Sequence, residues 1–191
     1  MDWFDEKDIG TKRYRCGYCG EKVSSSRGYF KSGLKAKIFI CPDCDCPTYF
    51  DSKDNQYPSE AYGNIVKNVP ENINSLYEES RNCMRVQAFT ASVMASRKLL
   101  MNIAVDKGAA EGLKYIEYVD YLDENHYMPP DSREWVDHIR DKGNEANHEI
   151  KIMEQKDAKE LINFIEMLLK FIYEFPGKMK AKQDSQNSNG G

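Results

Sequence analysis

Cys16-Gly17-Tyr18-Cys19-Gly20 and Cys41-Pro42-Asp43-Cys44-Asp45-Cys46, with 21 residues between Cys19 and Cys41, decide how the front of this chain folds. A Cys-x-x-Cys turn sets two sulfurs on one ion, and zinc wants four ligands in a tetrahedron with sulfur about 2.3 Å away. Glycine after a ligand lets backbone amides turn toward the thiolates. The spacing fits a zinc ribbon. Cys16, Cys19, Cys41 and Cys44 are the expected ligands of one structural Zn2+. Cys46 is the alternative to Cys44, but Cys-Pro-x-Cys repeats the first knuckle and favours Cys44. Four thiolates leave no coordination position for water, so the centre is expected to be structural and not catalytic. The competing reading is a redox Cys-x-x-Cys or unpaired thiols. The sixth cysteine, Cys83, falls on a helix face and reads as a core residue.

Around the cysteines the charge is uneven. The chain has 191 residues and a net charge of −4, which argues against a general nucleic-acid binder. Residues 11–40 nevertheless carry eight Lys/Arg and one acid, a local charge of +7 against −11 for the rest. Such a patch suits one anionic partner. Lys12, Arg13, Arg15 and Tyr18 are its candidate contacts. Tyr14, Tyr18, Tyr29, Phe30 and Phe39 interleave with the cations, a pattern that suits stacking on single-stranded nucleic acid. The plainer reading is that these rings fill a core too small to fill otherwise.

Beyond the ribbon the character changes. Residues 1–10 are an acidic lead-in, 11–52 the ribbon, 53–70 a polar linker with some local packing, 71–176 a helical domain, and 177–191 a disordered tail. Lys37–Ile40 and Thr48–Phe50 read as strands. Apolar spacing predicts helices over about 71–84, 86–106 and 110–125. A fourth runs from Asp131 or Ser132 to about 148. A fifth starts at Asp157, with Glu160 completing a capping box, and Pro176-Gly177 is expected to stop it. No apolar run approaches the ~20 residues of a membrane span. The acidic start does not resemble a signal peptide. A cytoplasmic location, with no membrane partner, is the expectation, and clustered cysteines there are metal ligands more often than disulfides.

The fourth helix carries a polar stripe. Arg140, Asn144 and His148 recur at i, i+4, i+8, so they share one edge. A guanidinium, an amide and an imidazole so placed can grip a phosphate or act on one. Equally, they can form a network that locks this helix to the second one through Arg97, with no chemistry.

Leu76-Tyr77-Glu78-Glu79-Ser80-Arg81-Asn82-Cys83, Ala95-Ser96-Arg97-Lys98-Leu99-Leu100 and Ile139-Arg140-Asp141-Lys142-Gly143-Asn144-Glu145-Ala146-Asn147-His148 resemble the DUF4145 family. So does the closing Ile172-Tyr173-Glu174-Phe175-Pro176. The resemblance spans roughly residues 70–176. It implies a mainly α fold: a HEPN-like antiparallel helical bundle, here preceded by a small β zinc ribbon. It also implies a homodimer through the helical domain and a phage-defence or counter-defence setting. Many HEPN proteins are metal-independent ribonucleases whose site pairs an Arg with a His. Asn144 and His148 match that pattern, but Gly143 stands where the Arg belongs, and Arg140 lies one turn earlier. The favoured expectation is therefore a non-catalytic interaction module binding nucleic acid or a protein partner. The alternatives are a ribonuclease using Arg140, Asn144 and His148, and a DNA-binding accessory of a restriction-type system.

Overall fold

The structure, a computed structural model, describes residues 3–60, 62–129 and 152–188. The chain divides into two compact units, one of residues 1–62 with 84–87, the other of residues 63–83 and 88–191.

Among the described residues the first unit is one antiparallel sheet in the order β1-β2-β3-β4-β5. Its strands are β1 (Lys7–Arg15), β2 (Lys22–Phe30), β3 (Lys37–Ile40), β4 (Pro47–Phe50) and β5 (Gln56–Tyr57). Ile9, Phe39 and Phe50 are buried, with Tyr14 packed against them. The rings meet edge to face, Phe39 with Phe50 at 5.7 Å and Tyr14 with Phe50 at 5.3 Å, an arrangement their quadrupoles favour. Burial pushes the Tyr14 hydroxyl up to about 12. The plainer reading thus holds for Tyr14 and Phe39. Tyr18 and Phe30 instead stay 46% and 55% exposed.

Among the described residues the second unit is helical: α1 (Glu71–Arg85, whose last residues belong to the first unit), α2 (Phe89–Asp106), α3 (Tyr115–Glu124), α4 (Gln155–Leu169), a π turn (Lys170–Glu174) and α5 (Phe175–Ser188). Helix α2 packs on both α3 and α4. Leu99, Leu100 and Ile103 of α2, and Ile162, Phe164, Ile165 and Leu168 of α4, are fully buried. Burying each such side chain stabilises by roughly 1.5–3 kcal/mol. A polar seam lies between α1 and α2, where Ser80 Oγ bonds Ser96 Oγ at 2.6 Å and Ser92 Oγ at 3.3 Å.

The mainly α expectation is corrected. Among the described residues the fold is mixed, and a five-stranded antiparallel sheet stands in place of a small ribbon. Two nine-residue strands, β1 and β2, account for the difference. They escaped the sequence reading because their inward positions are not hydrophobic in alternation. Ser25 and Gly28 are the buried residues of β2, and a register shift between Asp8 and Lys12 breaks the period of β1.

Other boundaries move too. Helix α4 starts at Gln155, two residues before the expected Asp157. The Asp157 carboxylate accepts the Glu154 N–H at 3.0 Å, so Asp157 is the third helical residue reaching back, not the cap. Where a stop at Pro176-Gly177 and a disordered tail were expected, α5 continues to Ser188. Leu169, Lys170 and Phe175 all keep right-handed helical angles, so α4, the π turn and α5 run on as one helix. Pro176 follows directly on the π turn, a helix irregularity that accommodates a residue otherwise disruptive inside a helix, and the Lys, Ala and Gln that follow are good helix formers. The expected linker is bound into place on the helical side. Asn64 donates through its backbone N–H and its Nδ2 to Glu166 at 2.7 and 2.9 Å, and Tyr77 donates to Asn64 O at 3.0 Å. Among the described residues no helix is long and apolar enough to cross a membrane.

Candidate metal centre

The two cysteine pairs sit at the same end of the sheet, in the turns that leave β1 and β3. The turns are built alike. In the first, Gly20 N–H donates to Cys16 O at 3.0 Å and Cys16 N–H to Glu21 O at 2.9 Å. In the second, Asp45 N–H donates to Cys41 O at 3.0 Å and Cys41 N–H to Cys46 O at 3.0 Å. Each turn needs one residue in the left-handed region: Gly20 at φ +77° and Asp45 at φ +58°. Aspartate is one of the few side chains that tolerate that region. Gly17 is required for another reason. A Cβ there would lie 2.3 Å from Pro58 O and 2.8 Å from Ser59 O, so backbone 58–59 rests directly on the first knuckle.

These turns bring Cys16, Cys19, Cys41 and Cys44 together, with all four sulfurs within 4.8 Å of one another. Cys16 Sγ lies 3.7 Å from Cys44 Sγ, and Cys19 Sγ 3.8 Å from Cys41 Sγ. A tetrahedron of sulfurs about 2.3 Å from its centre has edges of about 3.8 Å. A disulfide needs about 2.05 Å, and all six cysteines are free. The arrangement can therefore hold a metal ion and is compatible with zinc. Cys46 stands outside the group. It is the counterpart of Glu21 in the repeated turn, and it contributes its carbonyl oxygen.

Burial and crowding oppose ionisation of most of the cluster. Burial pushes the Cys19 thiol up to about 11. Cys44 is pushed up further, by burial and then by crowding from the other three sulfurs. Burial also opposes ionisation of Cys16, but N–H groups of Cys19 and Tyr18 outweigh it and hold that thiol down. Four thiolates share such a space only around positive charge. Arg15 supports the first knuckle, donating from Nη1 to Gly20 O at 2.6 Å.

The basic patch looks different in three dimensions. Lys12 pairs with Asp54 at 2.6 Å, Arg15 with Glu60 at 2.5 Å and Arg27 with Glu6 at 2.9 Å. Each carboxylate comes from outside residues 11–40. Residues 1–62 hold ten basic and ten acidic residues, so the +7 belongs to a segment and not to the unit. Arg13 and Tyr18 remain exposed, while Lys12 and Arg15 are half-buried. Arg97 lies in α2 at 5% exposure, with its guanidinium 4.3 Å from the Tyr115 ring centre. It is a buried group and not a surface contact. Arg140, Asn144 and His148, with the helix expected over 131–148, lie outside the described residues. Tyr49 and Tyr57, which stack on each other across β4 and β5, were not singled out by the sequence reading. Seven residues, the β4–β5 turn among them, separate the two, and only the strand register brings them together.

A family model described as DUF4145, a domain of unknown function, matches residues 78–187. No curated protein and no solved structure matches the chain.

Proposed function

We propose, for a chain that belongs to the DUF4145 family, a non-catalytic binding module in which Cys16, Cys19, Cys41 and Cys44 hold one structural Zn2+ ion. The single observation that carries this reading is the four-sulfur cluster with edges of 3.7 and 3.8 Å. With four thiolate ligands the ion would have no open position, so its contribution would be to folding. It would tie the β1–β2 turn to the β3–β4 turn at one end of the sheet. A sheet fixed in this way, on a chain with a separate helical unit, suits the docking of a nucleic acid or a protein. A phage-defence or counter-defence setting is the expected context.

The test is capture of partners from a native lysate by the full-length chain, with and without nuclease treatment, beside an RNA-cleavage assay of the purified protein. The reading expects a specific partner in one arm and no cleavage. Ribonuclease activity abolished by His148→Ala would overturn it.

A further inference from the structure

The sheet carries a row of side chains that crosses four strands. Tyr29 pairs with Ile38, Ile38 with Tyr49, and Tyr49 with Tyr57. Cross-strand partners project to the same face, and this is the face opposite Phe39 and Phe50. The Tyr49 and Tyr57 rings lie 30° from parallel, with centroids 6.1 Å apart. They are 41% and 39% exposed.

The Tyr29 end of the row already has an occupant, the lead-in of the chain itself. The Trp3 ring packs 6.3 Å from the Tyr29 ring, and Tyr29 donates to Phe4 O at 2.5 Å. Glu6 receives Arg27 Nε through both carboxylate oxygens, at 2.9 and 3.0 Å. That half of the face therefore holds an aromatic ring beside an anion. The Tyr49–Tyr57 half offers the same two chemistries to an incoming ligand. The hairpins at its border carry Lys31, Lys35 and Lys53, all exposed. Of the acids there, Asp54 is neutralised by Lys12, while Asp51 is held by the backbone N–H groups of Lys53 and Asn55 and keeps its negative charge.

We propose that the Tyr49–Tyr57 face binds single-stranded nucleic acid, with bases stacked on the two rings and phosphates drawn to Lys31, Lys35 and Lys53. This rests on the binding-module reading and names its ligand class. A base presents a flat π-face to such rings whatever its sequence. A duplex keeps its bases stacked inward and cannot use them. A peptide adding a strand beside these rings would have to pair with β5, which is two residues long and a poor template; the longer edge strand, β1, lies at the opposite side of the sheet.

The test is fluorescence anisotropy of the zinc-loaded, full-length chain with labelled oligo-dT and oligo-U of about twelve nucleotides, within the usual site size. A duplex of equal length is the control. Single strands are expected to bind, more weakly as salt rises, and the duplex on the order of tenfold less tightly. Tyr49→Ala and Tyr57→Ala should each weaken binding by about tenfold, while Tyr49→Phe and Tyr57→Phe retain it because stacking survives without the hydroxyl. Metal content and melting curves equal to the parent's show that the variants fold. No binding, or equal binding by the double alanine variant, overturns the proposal. If a protein is captured through these tyrosines while the oligonucleotides do not bind, this inference falls and the module reading stands. If RNA is cleaved in a His148-dependent manner, the module reading falls, and the tyrosine variants still decide where the strand lies.

Discussion

Gly17 and Gly20 lie in the same knuckle for different physical reasons, and substituting them separates those reasons. A methyl group on Gly17 would stand 2.3 Å from Pro58 O, about 0.7 Å inside the 3.0 Å below which real Cβ contacts essentially do not occur. The neighbour is backbone and cannot rotate away, so the knuckle or residues 58–59 must shift. Overpacking of this kind costs typically about 1–3 kcal/mol. Gly20 has nothing within 4 Å of its would-be Cβ, but its φ is +77°. Alanine there costs about 1–2 kcal/mol from backbone conformation alone, and asparagine less. Urea unfolding of the metal-loaded protein should therefore show both alanine variants destabilised by similar amounts. Gly20→Asn should recover much of the loss, whereas Gly17→Asn should be worse than Gly17→Ala. Chelator competition should show faster metal release from both Gly17 variants. Parent-like stability in Gly17→Ala, or recovery by asparagine at both positions, would refute the account of how the knuckle is built.

Glu166 is 8% exposed, and although burial opposes its charge, Lys170 and the two Asn64 donors hold its carboxyl below the usual range. A depressed folded value means the contribution is complete above the unfolded carboxylate range and is lost as pH falls through the folded value. Glu166→Gln should thus cost about 1–3 kcal/mol at neutral pH and converge on the parent in acid, as read from melting temperatures across pH. Ser80→Ala removes the partner of Ser96 Oγ in the buried seam between α1 and α2. A loss of about 1–2 kcal/mol in chemical denaturation is expected.

Some of this architecture is legible in the residues and some is not. Helix α2 is legible to within a few residues because its dense apolar spacing reports burial directly, and α4 because Ile162, Ile165, Leu168 and Leu169 keep a helical period. The four ligating cysteines were legible because a Cys-x-x-Cys turn needs no long-range information. Strands β1 and β2 were not. Their buried positions are a serine, a glycine and an isoleucine next to a bulge, which give no alternation to read. The charge of the sheet was illegible for the opposite reason. Glu6, Asp54 and Glu60 reach the basic segment only once the strands are paired. The Tyr49–Tyr57 pair depends in the same way on register.

The central claim is that Cys44, and not Cys46, completes a four-sulfur metal centre. Metal analysis of the purified chain beside Cys44→Ser and Cys46→Ser tests it most directly. The account predicts one zinc per chain in the parent and in Cys46→Ser, with a large loss of metal and a lower melting temperature in Cys44→Ser. Full zinc in Cys44→Ser, or loss of zinc in Cys46→Ser, would contradict it.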